Sequence, residues 1–191
     1  TLYTNNIRAA TGTQVSMANG HTLHAPGHVL QVQDTLYTTV FATSATSTVR
    51  IPVTGFYVDV IPKFANSKFI ITAHCSIGHS DTPEWSWFVD REINSSGSYT
   101  QIGTAAYEGN RMNGYHGGPE DQGANFYREL RSFSHTISDI PNTTNTIRYQ
   151  VCLQDRWSNA TAKYINRTHE DSNNGYITRG SSSITVWEIA Q

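Results

Sequence analysis

The stretch Ser67-Lys68-Phe69-Ile70-Ile71-Thr72-Ala73-His74-Cys75-Ser76-Ile77-Gly78 sets the fold class. Phe69, Ile71, Ala73, Cys75 and Ile77 alternate with Ile70, Thr72, His74 and Ser76. Successive side chains of a strand point to opposite faces, so this period of two turns one set toward a core. Asn66-Ser67 before it and Gly78-His79-Ser80-Asp81 after it are turn material. A second strand follows from Glu84 to Ile93, with Trp85, Trp87 and Val89 on one face and Ser86, Phe88 and Asp90 on the other. Asn94-Ser95-Ser96-Gly97 closes it.

Further strands are predicted from Val29 to Thr43, Phe56 to Ile61, Phe126 to Ile137, Thr146 to Gln154 and Ser183 to Ala190. In the last, Ile184, Val186 and the ring of Trp187 flank Ser183, Thr185 and Glu188, so both faces are partly apolar. Short strands between Gly, Asn, Pro and Ser turns, with no sustained helical period, predict an all-β chain, an antiparallel β-sandwich of jelly-roll-like form. Its expected extent is 27–191, with Pro26-Gly27 as the hinge from an extended segment over 1–26. That segment holds only Ile7, Val15, Met17 and Leu23 as well-spaced apolar positions, too few to bury a core alone. It either stays disordered or borrows partner chains.

Composition agrees. The 191 residues are 15% charged with a net charge of −2, against a usual charged fraction of about 25%. Threonine and serine, 24 and 18 residues, fill the gap. This excludes a basic nucleic-acid binder and an acidic tail. No apolar run of about 18 residues is present, so no membrane insertion is expected. The start Thr1-Leu2-Tyr3-Thr4-Asn5-Asn6 lacks the regions of a signal peptide; without an initiator Met, a processed or trimmed start is compatible with the sequence. Cys75 and Cys152 read as buried small hydrophobes rather than a bridge.

The sequence contains no Gly-x-Ser-x-Gly, Walker, dinucleotide, His-Glu-x-x-His or Cys-x-x-Cys motif. No cofactor is expected. His21, His24 and His28, with His74 and His79, have spacings from which a metal site can be imagined, but solvated or loop histidines are the simpler reading, so no metal is expected. Glu108, Glu120, Asp121, Glu170 and Asp171 are loop carboxylates, read as turn formers rather than a glycosidase pair. Four Asn-x-Ser/Thr triplets, at Asn94, Asn142, Asn159 and Asn166, are close to chance for a chain with 14 Asn and this Ser and Thr content.

Three stretches carry a resemblance. Asn5-Asn6-Ile7-Arg8, Thr11-Gly12-Thr13 and Asn19-Gly20-His21-Thr22-Leu23 lead into Ala25-Pro26-Gly27-His28-Val29-Leu30-Gln31-Val32. Ile61-Pro62 precedes Asn66-Ser67-Lys68-Phe69-Ile70-Ile71. Tyr164-Ile165-Asn166-Arg167-Thr168 and Asp171 precede Thr178-Arg179-Gly180-Ser181-Ser182-Ser183-Ile184-Thr185-Val186-Trp187-Glu188-Ile189. In this order they resemble a family of bacteriophage tail-fibre and minor virion structural proteins common in marine and cyanobacterial phages. The resemblance implies a non-enzymatic β-domain on the virion, assembled in the host cytoplasm, commonly a homotrimer. Its N-terminal segment would join a shaft or docking site on other virion proteins. A capsid decoration or cement protein is the alternative within the particle, and a polysaccharide-trimming enzyme the alternative from another class.

Residue roles follow from that expectation. Ile7, Val15, Met17 and Leu23 are the oligomerisation candidates, since three copies meeting at an axis bury what one cannot. The long glycine-rich loop from Glu108 to Asn125 offers Tyr115, with Arg111, His116, Glu120 and Asp121, as contacts to a host cell-surface glycan or protein; a mobile surface loop or a subunit contact is the alternative. Trp157, at a predicted strand end, is a second receptor candidate, while Trp85 and Trp87 read as core. Arg167, Asp171 and Arg179 read as structural turn residues, with a sugar or lipopolysaccharide phosphate as the other possible partner of the arginines.

Overall fold

Strand by strand, the period-two pattern is realised in the computed structural model of the chain, which describes residues 23, 25–45, 50–79, 85–106, 109, 113–117, 128–155 and 162–191. Among them are β1 (Val29–Tyr37), β2 (Phe41–Thr43), β3 (Ile51–Val60), β4 (Lys68–His79), β5 (Trp85–Ile93), β6 (Tyr99–Ile102), β7 (His116–Gly117), β8 (Arg131–Asp139), β9 (Ile147–Asp155), β10 (Lys163–Ile165) and β11 (Ser182–Ile189), and no helix. Every pairing is antiparallel. The fold is an all-β sandwich of two antiparallel sheets.

The first sheet is organised by β4. β8 pairs along one side of it, while β11 and then β10 share the other side, with β1 outside β11 and β2 outside β10. The second sheet runs β3, β9, β5, with β6 and β7 sharing the outer side of β5. Phe69, Ile71, Ala73, Cys75 and Ile77 are at most 1% exposed, as their alternation requires. They face Tyr149, Val151, Leu153, Trp85, Trp87 and Val89 of the second sheet within one core. Each such large apolar side chain contributes about 1.5–3 kcal/mol by burial. Cys75 and Cys152 are free and buried, and burial pushes both thiols above their usual range.

Several boundaries differ from the sequence reading, each for a tertiary reason. The predicted strand Val29–Thr43 divides after Tyr37, because its two parts join different partners, β11 and β10. The strand expected from Phe56 begins at Ile51 and carries a register shift between Pro52 and Tyr57, where Gly55 has φ +80°. A positive φ costs glycine nothing, so the irregularity sits where a side chain would be strained. The strand expected from Phe126 starts, among the described residues, at Arg131. β6, β7 and β10 have two to four residues each and carry too little periodicity to be read.

Asn94, Asn142 and Asn166 have φ between 53° and 66°. Asparagine tolerates this left-handed region because its short amide bonds locally. Three of the four Asn-x-Ser/Thr triplets, read as close to chance, thus begin at asparagines in left-handed backbone, and Asn166 is 1% exposed. Asn159 lies outside the described residues.

Candidate functional site

Glu188 is the residue whose sequence position misleads most. Alternation in β11 places it inward with Ile184 and Val186, and it is 0% exposed. Its Oε1 accepts from the backbone N–H of Lys63 (2.6 Å) and Phe64 (3.3 Å) and from Ser67 Oγ (2.6 Å). Its Oε2 accepts from Gln31 Nε2 at 2.5 Å, and the same amide nitrogen donates to Ile61 O at 2.7 Å. A buried carboxylate is tolerated when its oxygens are filled by donors in this way. The three resembling stretches each supply part of this clasp: Gln31 from the first, Ile61 and Ser67 from the second, Glu188 from the third.

A second clasp forms where β11 and β10 part along β4. Ser76 lies in that gap, and its N–H donates to Ser182 Oγ at 3.0 Å while its carbonyl accepts from Asn166 N at 2.8 Å. Asn166 Nδ2 donates to the carbonyls of Tyr37 (2.7 Å) and Thr39 (3.0 Å), and its Oδ1 accepts from Ser182 Oγ at 2.7 Å. The backbone groups left over by the strand change are thereby satisfied. Gly78 makes the passage possible: a Cβ there would stand 2.3 Å from Arg167 O.

Arg167, Asp171 and Arg179 come together beside this clasp. The Arg167 guanidinium donates to the carbonyls of Thr168 (3.1 Å) and His169 (3.2 Å) and to Asp171 at 3.0 Å, and lies 4.2 Å from the Tyr164 ring centre. Arg179 reaches the same carboxylate at 2.6 Å, and the two arginines form an isolated β-bridge. Next to them Arg128 bonds Glu170 at 2.7 Å and, with Ser172, holds that carboxyl below its usual range. Arg167 spends its donors within the turn, whereas the Arg179 side chain is 55% exposed.

Tyr115, the leading receptor-contact candidate, is half-buried and packs against the core. Its ring stacks on His135 at 4.3 Å and meets Trp87 edge-on at 5.0 Å. Its hydroxyl donates to Ile102 O at 2.7 Å and accepts from Val89 N at 3.1 Å, and burial pushes its phenol above the usual range. Tyr115 N also bonds Trp87 O at 2.8 Å, so this part of the loop is held against β5. Trp85 and Trp87 are in the core at 2% and 1% exposure. His116 lies in β7 opposite Trp87. Arg111, Glu120, Asp121 and Trp157, and the oligomerisation candidates Ile7, Val15 and Met17, lie outside the described residues; the fourth, Leu23, is exposed. Of the imagined metal ligands, His21 and His24 also lie outside them, and among the described residues no three His, Cys, Asp or Glu are grouped to hold an ion.

The two outward sheet faces have opposite chemistry. On the second sheet Arg50 bonds Asp90 (2.5 Å) and Gln150 (2.6 Å) and lies 3.5 Å from the Tyr99 ring centre. Arg148 takes Asp59 with two bonds of 2.7 and 2.8 Å and covers Tyr57 at 3.8 Å. Asp90, 2% exposed, is raised above the usual carboxylate range by burial, with Arg50 opposing the shift. On the first sheet, cross-strand rows read Leu36–Ser183–His74–Ser134, Asp34–Thr185–Thr72–Thr136 and Val32–Trp187–Ile70–Ser138. This face is built of hydroxyls, with an apolar row at one end. Apart from His74, none of its members was singled out as a candidate, because a solvent-facing Ser or Thr in a strand carries no signal of its own.

The sequence matches no protein-family model and no curated protein. Among solved structures the chain is similar to chains of the infectious bursal disease virus Gx strain (10% identity, TM-score 0.38, 93% of this chain and 41% of that one) and Gt strain (10%, 0.41, 93% and 42%). A VP2 subviral particle of the same virus is similar at 10% identity and a TM-score of 0.37, over 92% of this chain and 45% of that one. This chain thus spans less than half the length of those chains.

Proposed function

We propose that this chain is a non-enzymatic virion structural protein of a bacteriophage, a homotrimeric tail-fibre or fibre-tip domain that attaches the particle to a host-surface glycan or protein. One observation carries the reading. Gln31, Ser67 and Glu188, far apart in the chain and each within a stretch that resembles the phage family, meet at one buried carboxylate. A scattered pattern with a single physical centre is what a shared fold requires, and this supports treating the resemblance as one feature rather than three coincidences. Attachment works through avidity: three weak sites on one trimer, and several trimers on one particle, convert weak contacts into stable adsorption. A surface with few charges keeps its hydrogen bonding when salt screens Coulomb forces.

Immunogold labelling of particles of the encoding phage is the direct test, with purified chain added to host cells as competitor. Label at fibre tips and reduced adsorption are the expected results. Label spread over the capsid shell would replace the reading with a decoration protein, and turnover of capsular polysaccharide by the purified chain would replace it with an enzyme.

A further inference from the structure

Exposed apolar area and unpaired charge coincide at one edge of the first sheet. Among the described residues, five of the eight exposed large hydrophobic side chains, Leu23, Val29, Val32, Leu36 and Ile61, lie on β1, in the segment entering it, or beside it where Gln31 bonds Ile61 O. Leu36, 66% exposed, and Val32, 46%, share the outer face with Asp34 between them. Among the described strands β1 pairs through β11 alone, so its other edge has no strand partner among the described residues; β3 lies against its inner side, where Thr35 Oγ1 donates to Tyr57 O at 2.8 Å. A nine-residue unpaired edge with apolar side chains is a surface that isolated proteins avoid, because it invites another chain.

The charges indicate which chain. Among the described residues, Asp34, Lys63 and Lys68 are the acidic and basic side chains that make neither an ion pair nor a hydrogen bond. All three border this patch. Lys68 opens β4 opposite Ile189, which itself lies opposite Val29, and Lys63 follows Ile61. Asp34 is five residues along β1 from Val29, roughly 17 Å of strand, too far to meet the lysines within one chain. Opposite charges separated across one apolar patch are complementary to a displaced copy of the same patch. That is the arrangement of a head-to-tail contact, which closes into a ring when the rotation permits.

We propose that this edge is where one copy of the chain meets the next around the three-fold axis, Asp34 of one copy facing Lys63 and Lys68 of its neighbour with Val32 and Leu36 desolvated between them. The inference rests on the trimer reading and assigns its interface.

Mass photometry of the full chain at micromolar concentration tests both levels. Wild type is expected at three times the 21.2 kDa chain mass. Asp34→Lys, and separately Lys63→Glu with Lys68→Glu, should each lower the trimer-to-monomer ratio about tenfold or more, since like charges then face each other. The three reversals combined in one chain should restore the trimer. Leu36→Arg should also release monomers, and Tyr99→Ser, at an exposed aromatic site on β6 of the second sheet, should not. Circular dichroism and melting temperature check that each variant is folded; the charge reversals, being at the surface, keep the test alive if Leu36→Arg is not. A monomeric wild type would overturn the trimer reading and the interface together. A wild-type trimer indifferent to these reversals, or weakened by them without rescue, would overturn the interface alone; it would point to the chain's own first residues or another surface as what covers β1.

Discussion

The outer faces of the two sheets solve the problem of a charge-poor protein in opposite ways. The second sheet gathers its ionic groups and neutralises them internally, with Arg50 on Asp90 and Arg148 on Asp59, each guanidinium also lying over a tyrosine ring. The first sheet presents Thr72, Thr136, Thr185, Ser134, Ser138 and Ser183 and leaves Asp34 and Lys68 without ionic partners among the described residues. The difference teaches that the 15% charged fraction is not spread evenly: one face pairs its charges within the chain, and the other carries charges that have no ionic partner among the described residues.

The largest test of this contrast lies at Glu188, a buried acidic group of the first sheet that the chain satisfies internally. Glu188→Ala should destabilise the fold by about 3 kcal/mol or more, because buried donors on Lys63, Phe64, Ser67 and Gln31 lose their acceptor together. Urea unfolding reads the loss; a change within about 0.5 kcal/mol would show that water replaces the carboxylate at little cost.

A smaller effect is expected on the opposite face, and it depends on pH. Asp90 has its carboxyl raised by burial. The folded state therefore keeps its proton at pH values where the unfolded chain has lost it, so ionised Asp90 costs stability, and that cost is relieved as pH falls through its folded pKa. Wild type should gain stability relative to Asp90→Asn as the buffer is taken from neutral toward the carboxylate range. A difference that stays flat with pH would place the Arg50 pairing above desolvation. Smallest of all, Thr136→Val on the hydroxyl face should change stability by no more than about 0.5 kcal/mol, since its bond to Thr72 is exposed to water. A larger loss would mean that the face is a structural network rather than an open surface.

The legible part of the fold was the part written in local period. Phe69 to Ile77 reads as one buried face because alternation alone decides which side chains share a side, and the same holds for Trp85, Trp87 and Val89. The candidate sites were legible only in fragments. Arg167, Asp171 and Arg179 stand out as turn residues rich in hydrogen-bonding capacity, and they are brought together. Tyr115 stands out as an aromatic in a glycine-rich loop, yet nothing local tells that Ile102 O and Val89 N will hold its hydroxyl inward. Glu188 reads as a polar position on a half-exposed strand, and its donors lie more than 120 residues away.

By itself, then, the amino-acid order determined the strands, the apolar face of each and the scarcity of charge, because these follow from side-chain direction and composition. Only the tertiary structure decided which carboxylates are buried and satisfied, which aromatic turns inward and where the unpaired charges collect. Those outcomes depend on donors, acceptors and rings contributed by distant strands, and no local pattern specifies a partner a hundred residues away.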